Sequence, residues 1–234
     1  MQRDTMRTGA VCAVIAAALY LIVGVNHFLW PAAATPDALM QVLVEQPIHH
    51  YVTTLGLALI AALLIPVITA VGVLLQPVHA GVSRWATVVA YIGAAGMIMS
   101  NLRLAHLAPL RAAVYLEGDD TVRAAIQYNW IGNSLDPHGW LQFGLIGAWL
   151  LAVAILVLRG GNVLPRGYGY MTLLGALVNL LALAANLSAA LPGFILAGLG
   201  GVVVGPTWAL WTGMLLSRSA GAVGAAASGT AVSS

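Results

Sequence analysis

Residues 51–75 read YVTTLGLALIAALLIPVITAVGVLL, a run that contains no charged side chain. A helix of this length is about 38 Å long, which exceeds the roughly 30 Å hydrocarbon core of a bilayer. Only 7% of the chain is charged and 61% is hydrophobic, whereas soluble domains carry about 25% charged residues. We therefore expect lipid to be the solvent of most of its surface.

Five other stretches share the length and apolar character of this run. The six predicted spans are Ala10–Trp30, Tyr51–Leu75, Trp85–Leu107, Trp140–Leu158, Tyr170–Ala190 and Phe194–Leu216. The strands of a membrane barrel would alternate polar and apolar residues, and the chain lacks that pattern. The sequence therefore predicts an all-α, polytopic membrane protein, a six-transmembrane-helix bundle that forms one domain over residues 1–218. The Ser-, Gly- and Ala-rich residues 219–234 are expected to form a disordered cytoplasmic tail.

The arginines predict the orientation of this bundle. Both termini and the loops on their side carry six arginines and one acid, Asp4, whereas the opposite side carries three arginines and six acids. Cytoplasmic loops are enriched in positive charge. We therefore expect N- and C-termini in the cytoplasm and a location in the bacterial inner (plasma) membrane.

The two outer connections are expected to contain short interfacial helices. Thr35-Pro36-Asp37 reads as a cap, a proline at the first helical position and an acid in the first turn, so it predicts a helix over Ala38–Glu45. A second helix is predicted over Val122–Ile131, after a turn at residues 118–121. Pro109 is expected to follow the end of the third span.

Five of the six histidines fall at span ends on the predicted outer face, namely His27, His49, His50, His106 and His138. Imidazole is the commonest transition-metal ligand, and histidines of facing helices often hold haem iron in membrane bundles. These residues are therefore candidate ligands of a transition metal or haem cofactor. Their spacing matches no metal motif, and interfacial water can also satisfy each ring nitrogen.

Arg103 is the sharpest single candidate for a binding residue. It lies about one turn inside the third span and three residues before His106, so both share a helix face. The predicted ligand-binding site at the outer mouth combines them with four further polar residues, Asn101, Asp136, His138 and Asn186. The alternatives are that Arg103 reaches the lipid headgroups and that Asp136 only caps the fourth span.

Other polar and small residues within the spans are expected to serve helix packing. Asn26 and Asn179 are interpreted as interhelical hydrogen-bonding residues. Gly198, Gly200, Gly201 and Gly205 form a smooth stripe that predicts close helix contact. The inner halves of the spans offer no continuous polar path, so a carrier is disfavoured.

Two functional hypotheses follow. The first is a polar outer site that binds a small lipophilic ligand, a quinone-like molecule, or a metal or haem cofactor. The alternative is an accessory or scaffolding subunit of a larger membrane complex. The expected partners are the lipid bilayer and other membrane proteins. The net charge of +2 reflects the orientation signal and indicates no nucleic-acid partner. Whether the protein is an enzyme, and by which catalytic residues, stays open.

Three short segments carry a resemblance to a known family. They are Leu75-Gln76-Pro77-Val78, the stretch Asp136–Gly144, and Asn162-Val163-Leu164-Pro165-Arg166-Gly167. Together they resemble bacterial six-span membrane proteins catalogued as domain of unknown function 4386, over about Arg7–Leu191. The resemblance implies the six-span architecture and directs attention to His138 and Arg166, but it implies no activity.

Overall fold

The computed structural model describes residues 2–31, 35–129, 134–160, 163–188 and 200–231. In these ranges the chain is helical and forms no strand, which confirms the all-α class. The helices are α1 Gln2–Leu29, α2 Pro36–Glu45, α3 Pro47–Leu75, α4 Ala80–Glu117, α5 Asp120–Tyr128, α6 Ile146–Arg159, α7 Arg166–Leu187 and α8 Gly205–Ala231. Two π-helical turns, Trp140–Leu145 and Gly200–Val204, lead directly into α6 and α8.

Five helical segments in the described ranges are long and apolar enough to cross a membrane. They are α1, α3, α4, the continuous segment Trp140–Arg159, and α7. Each overlaps one of the first five predicted spans, although Ala190, the predicted end of the fifth, lies outside the described residues. The sixth predicted span, Phe194–Leu216, also begins outside them and continues through the second π-turn into α8.

Small residues let the long helices pack closely. α1 packs between α3 and α8, α3 packs against α4, and α6 packs against α7. On α1 the buried face includes Ala13 and Ala16, both fully buried, because alanine and glycine allow neighbouring backbones to approach. Larger side chains such as Ile60 and Trp149 fill the centre of the bundle.

α4 continues through Pro109 to Glu117, ten residues beyond the predicted end of its span at Leu107. A proline inside a helix removes one hydrogen bond and costs roughly 3 kcal/mol. The extension offsets this cost by burying Ala112 and Tyr115 against Met40 and Leu43 of α2. Burying one large apolar side chain stabilises by about 1.5–3 kcal/mol, so several together outweigh the proline.

Helices form at both places where the sequence predicts a short interfacial helix, as α2 and α5, and their place at the outer face stays a prediction. Thr35 Oγ1 accepts a hydrogen bond from the Ala38 N–H at 3.2 Å, as its capping pattern predicts. At the start of α5, Asp119 Oδ1 accepts from the Val122 N–H at 3.0 Å. Ile131, the predicted end of the second outer helix, lies outside the described residues.

The last helix extends further than the sequence predicts. α8 continues past Arg218 to Ala231, whereas a disordered tail is predicted from residue 219. Alanine is the strongest helix former, and residues 219–231 are rich in it. The helix propensity of alanine therefore extends α8 through residues whose sequence shows no apolar periodicity.

Candidate functional site

Asp136 holds the start of the fourth predicted span in its π-helical form. Its Oδ2 accepts hydrogen bonds from the backbone N–H groups of Leu141 and Gln142, both at 2.8 Å. Its own N–H donates to Ser100 Oγ of α4 at 3.2 Å. The predicted capping role thus takes an unusual form, because the bonded amides lie five and six residues downstream. Gly139 makes this possible by adopting a φ of 80°.

The other outer-mouth candidates do not converge on this carboxylate. Arg103, His106 and His138 are exposed, and no hydrogen bond or ion pair within the described ranges joins them to Asp136. Asn186 is also exposed and lies beside Gly139. The structure therefore leaves these side chains on the surface, around the capping interaction.

The histidines serve separate roles. His49 Nδ1 lies 2.8 Å from Asn26 Oδ1, so that nitrogen donates. His50 is buried, donates from Nε2 to the Leu104 carbonyl at 3.1 Å and packs edge-on against Trp30. His27 lines an internal cavity. Across the described ranges, no three His, Cys, Asp or Glu side chains are placed to hold a metal ion.

The cavity beside His27 is the main internal feature of the bundle. It has a volume of about 240 Å³. All six long helices and both π-turns contribute to its wall. Between Thr53 and Leu64, both of which line it, α3 rises about 16 Å. The cavity therefore extends about this far along α3.

Among the described residues, no Asp, Glu, Lys or Arg side chain lines this cavity. Its walls are mainly aliphatic and aromatic, and the polar side chains among them are Tyr20, His27, Thr53, Gln142, Asn179 and Trp208. Ligand sites are characteristically apolar with a few placed polar groups. The cavity has that composition, which the exposed outer mouth lacks.

Gln142 and Thr53 lie at one level, towards the end of the cavity that is nearer His50 and that the sequence predicts to face outwards. Asn101 of α4 donates from Nδ2 to Gln142 Oε1 at 3.3 Å. Three residues further out, Leu104 accepts the hydrogen bond from His50. Because α3 and α4 run antiparallel, Thr53, three residues inward of His50, lies at the depth of Asn101.

The orientation of the Gln142 amide follows from its neighbours. Asn101 Nδ2 also donates to the Met97 carbonyl at 2.8 Å, and a carbonyl only accepts. This fixes the orientation of the Asn101 amide, so Gln142 must turn its oxygen towards Asn101. The Gln142 Nε2 amino group is then left as a donor, and no hydrogen bond in the described ranges uses it.

Thr53 also retains a donor. Asn26 Nδ2 donates to the His49 carbonyl and to Thr53 Oγ1, each at 2.8 Å. The carbonyl again fixes which end of the Asn26 amide is the donor. Thr53 Oγ1 therefore acts as an acceptor in this contact, and its own hydroxyl proton stays available.

Asn179 lies deeper and presents the opposite polarity. Its Nδ2 donates to the Gly175 carbonyl at 2.8 Å, and no donor in the described ranges bonds its Oδ1. A Cβ added to Gly147 would lie 3.2 Å from the Cβ of Asn179. Since Gly147 follows Gln142 by five residues, Asn179 lies about 7 Å further into the bundle.

Glycines and the π-turns leave room for the cavity. A π-turn inserts an extra residue into a helical turn, and such turns are frequent at functional sites. The first π-turn carries Gln142 and Phe143 together on the cavity wall. At the second, Gly201 packs against Gly24 of α1, since a Cβ added to Gly201 would lie 3.7 Å from Gly24 Cα. The close contact predicted for the glycine stripe is thus confirmed at Gly201, whereas Gly198 lies outside the described residues.

Two tryptophan rings and a set of hydroxyl groups that bond to one another lie at the deeper end of the cavity. Trp149 and Trp208 meet edge to face, with centroids 5.6 Å apart. Trp208 Nε1 donates to Thr172 Oγ1 at 3.2 Å, and Tyr168 and Thr212 share a hydroxyl contact of 3.0 Å. These hydrogen bonds join α7 to α8.

The sequence predicts some residues of this site but not those at its centre. Asn101 is predicted to bind a ligand, but it is buried and instead orients Gln142. The sequence pattern indicates no role for Gln142 and favours a packing role for Asn179. The sequence feature that could have indicated both residues is a side-chain amide within an apolar span. Whether such an amide faces a neighbouring helix or a cavity depends on how the helices pair.

Comparison of the chain with protein-family models, with curated proteins and with solved structures finds no match in any of the three.

Proposed function

We propose that this protein spans the membrane six times and binds one uncharged, lipophilic small molecule inside the helix bundle. The observation that carries the proposal is the charge-free cavity of about 240 Å³ that all six long helices line. In a close-packed interior, voids much larger than a water molecule are few. A void of this size, with unused hydrogen-bonding groups on its wall, is therefore better explained by a ligand than by imperfect packing.

The walls define the chemical class. An ion would lose its hydration without gaining an opposite charge, which is strongly unfavourable in an apolar interior. An uncharged molecule avoids that cost and gains dispersion contacts with the aromatic and aliphatic walls. For scale, an engineered cavity of roughly 150 Å³ binds benzene. The volume thus favours a molecule with one ring and short substituents over a porphyrin.

The membrane arrangement completes the proposal. In this proposal the arginine-rich loops lie in the cytoplasm, because cytoplasmic loops are enriched in positive charge, and α2 and α5 lie at the outer face of the bacterial inner membrane. The polar end of the cavity then lies towards the outside. The resemblance to the six-span family catalogued as domain of unknown function 4386 agrees with this topology and stays a prediction, as does the role of an accessory subunit.

A cavity-filling substitution tests the proposal. Gly175 lines the cavity, and a Cβ added there would meet only ordinary contacts, at 3.5 Å or more. Gly175→Leu should therefore occupy the cavity while the bundle still folds. Gly221→Leu is the matched control, because Gly221 is a helical glycine with open space around it.

The measurement is mass spectrometry of small lipophilic molecules extracted from protein purified in lipid nanodiscs. We expect a stoichiometric compound in the wild type and in Gly221→Leu, and its loss from Gly175→Leu. A wild-type extract that matches that of empty nanodiscs, together with no binding of added aromatic probes, would refute the proposal.

A further inference from the structure

Three polar groups of the cavity wall have a fixed hydrogen-bonding role and lie in a definite order, whereas the Tyr20 hydroxyl can donate or accept and the role of the His27 ring nitrogens depends on the tautomer. Near the outer end, Gln142 offers an N–H donor and Thr53 offers an O–H donor, because their oxygens already accept bonds from Asn101 and Asn26. About 7 Å deeper, Asn179 offers an acceptor, because its amino group is bonded to the Gly175 carbonyl. Donors therefore face one end of the cavity and an acceptor faces the other.

This order does not depend on an arbitrary choice of amide orientation. Oxygen and nitrogen of an amide are exchanged easily when coordinates are built, but each orientation here is fixed by a backbone carbonyl that accepts only. Those carbonyls belong to Met97, His49 and Gly175. If the side-chain amide of Asn101, Asn26 or Asn179 were turned over, its oxygen would face the oxygen of that backbone carbonyl.

Building on the proposed function, we propose that the ligand is a single-ring molecule with a hydrogen-bond acceptor at one end and a hydroxyl group at the other. The acceptor, a carbonyl or ether oxygen, lies between Gln142 and Thr53, and the hydroxyl donates to Asn179 Oδ1. A para-quinone fits less well, because it has only acceptors and would leave Asn179 Oδ1 without a donor. An unsatisfied polar group in a buried site lowers affinity.

Neighbouring residues act on this polarity from outside the cavity. Asn101 orients the Gln142 amide, and Asp136 bonds the Gln142 backbone N–H. They are positioning residues for the outer donors and do not line the cavity. The sequence predicts that Asn101 and Asp136 contact the ligand. In this proposal both residues instead act on the site indirectly.

Three aromatic probes separate the two ends of the proposed ligand. Para-hydroxyacetophenone carries both groups, para-methoxyacetophenone lacks the donor, and para-ethylphenol lacks the carbonyl. Equilibrium dialysis of protein nanodiscs against empty nanodiscs measures binding and cancels the partition of each probe into lipid. We expect the wild type to bind the first probe about tenfold more tightly than either of the others.

Two nearly isosteric substitutions assign the ends. Asn179→Leu should abolish the preference over para-methoxyacetophenone and keep the preference over para-ethylphenol. Gln142→Met should weaken the preference over para-ethylphenol, because only Thr53 still donates to the carbonyl, and should keep the preference over para-methoxyacetophenone. Thermal unfolding checks that both variants fold. If Asn179→Leu does not fold, Asn179→Ala replaces it, and if Gln142→Met does not fold, Gln142→Leu replaces it.

The outcomes distinguish this inference from the proposed function. If all three probes bind equally and Gly175→Leu removes them all, the cavity is a ligand site but the polar order is refuted. The order is also refuted if either substitution changes both preferences or neither. If no probe binds the wild type and no native ligand is extracted, the proposed function itself fails.

Discussion

A single added methyl group should change stability in opposite directions at Gly24 and at Gly175. At Gly24, a Cβ would lie 2.5 Å from Val202 Cγ2 and 3.0 Å from the backbone carbon of Gly201. At Gly175, the nearest atoms are Leu150 Cδ1 at 3.5 Å and Val204 Cγ1 at 3.8 Å. The first position is overpacked by a methyl group, and the second accommodates it at ordinary contact distance.

The magnitudes follow from two opposing terms. Replacing glycine by alanine inside a helix gains about 1 kcal/mol at either position. Overpacking costs about 1–3 kcal/mol, and backbone atoms at Gly201 cannot rotate away as a side chain would. Gly175→Ala should therefore raise the free energy of unfolding by about 1 kcal/mol, whereas Gly24→Ala should lower it by up to about 2 kcal/mol.

Thermal unfolding in one detergent, with ligand removed, measures both. Each kcal/mol corresponds to a shift of about 2–4 °C in Tm for a protein of this size. Gly221→Ala is the control, since it gains helix propensity without any contact. Equal shifts for all three variants would show that propensity alone acts, and they would contradict the close packing of α1 against the second π-turn.

Three further predictions concern residues around the cavity. Asp136→Ala should lower the free energy of unfolding by about 1–2 kcal/mol, because two hydrogen bonds to backbone N–H groups are lost. Asp120 is exposed at the start of α5, so the control Asp120→Ala should change the free energy of unfolding by less than about 0.5 kcal/mol. Equal losses for the two variants in denaturant titrations would argue against the capping role. His106→Ala and His138→Ala, both exposed, should leave probe affinity in the dialysis assay unchanged, and a tenfold loss would move the site to the outer mouth. Thr212→Val should cost about 1–3 kcal/mol because it leaves the buried Tyr168 hydroxyl without its partner, and adding Tyr168→Phe should recover part of that loss in the same unfolding assay; a larger loss in the double variant would refute the pairing.

Local signals in the sequence were sufficient for the helices and their caps. The uncharged run that ends at Leu75 coincides with the end of α3, and Thr35 caps α2 as its neighbours indicate. Such features depend on residues within one or two helical turns. They could be predicted because hydropathy and capping act over those distances.

The continuation of α4 and the position of the cavity could not be predicted in the same way. Pro109 signals a helix end locally, but contacts of Tyr115 with α2 extend the helix past it. Gln142 and Asn179 line the same cavity only because α6 and α7 pair at Gly147. Which amides face each other is a property of helix pairing, and one sequence does not contain that pairing explicitly.

The described residues of the cavity wall include no Asp, Glu, Lys or Arg, and a neutral ligand in such a site has an electrical consequence. Moving one elementary charge across the membrane potential changes its free energy by about 2.3 kcal/mol per 100 mV. A neutral molecule that moves between the outer face and this cavity carries no charge through that field. Occupancy of the site should therefore be the same in energised and de-energised membranes. The fraction of protein that holds ligand would depend on the ligand concentration in the lipid and not on the membrane potential.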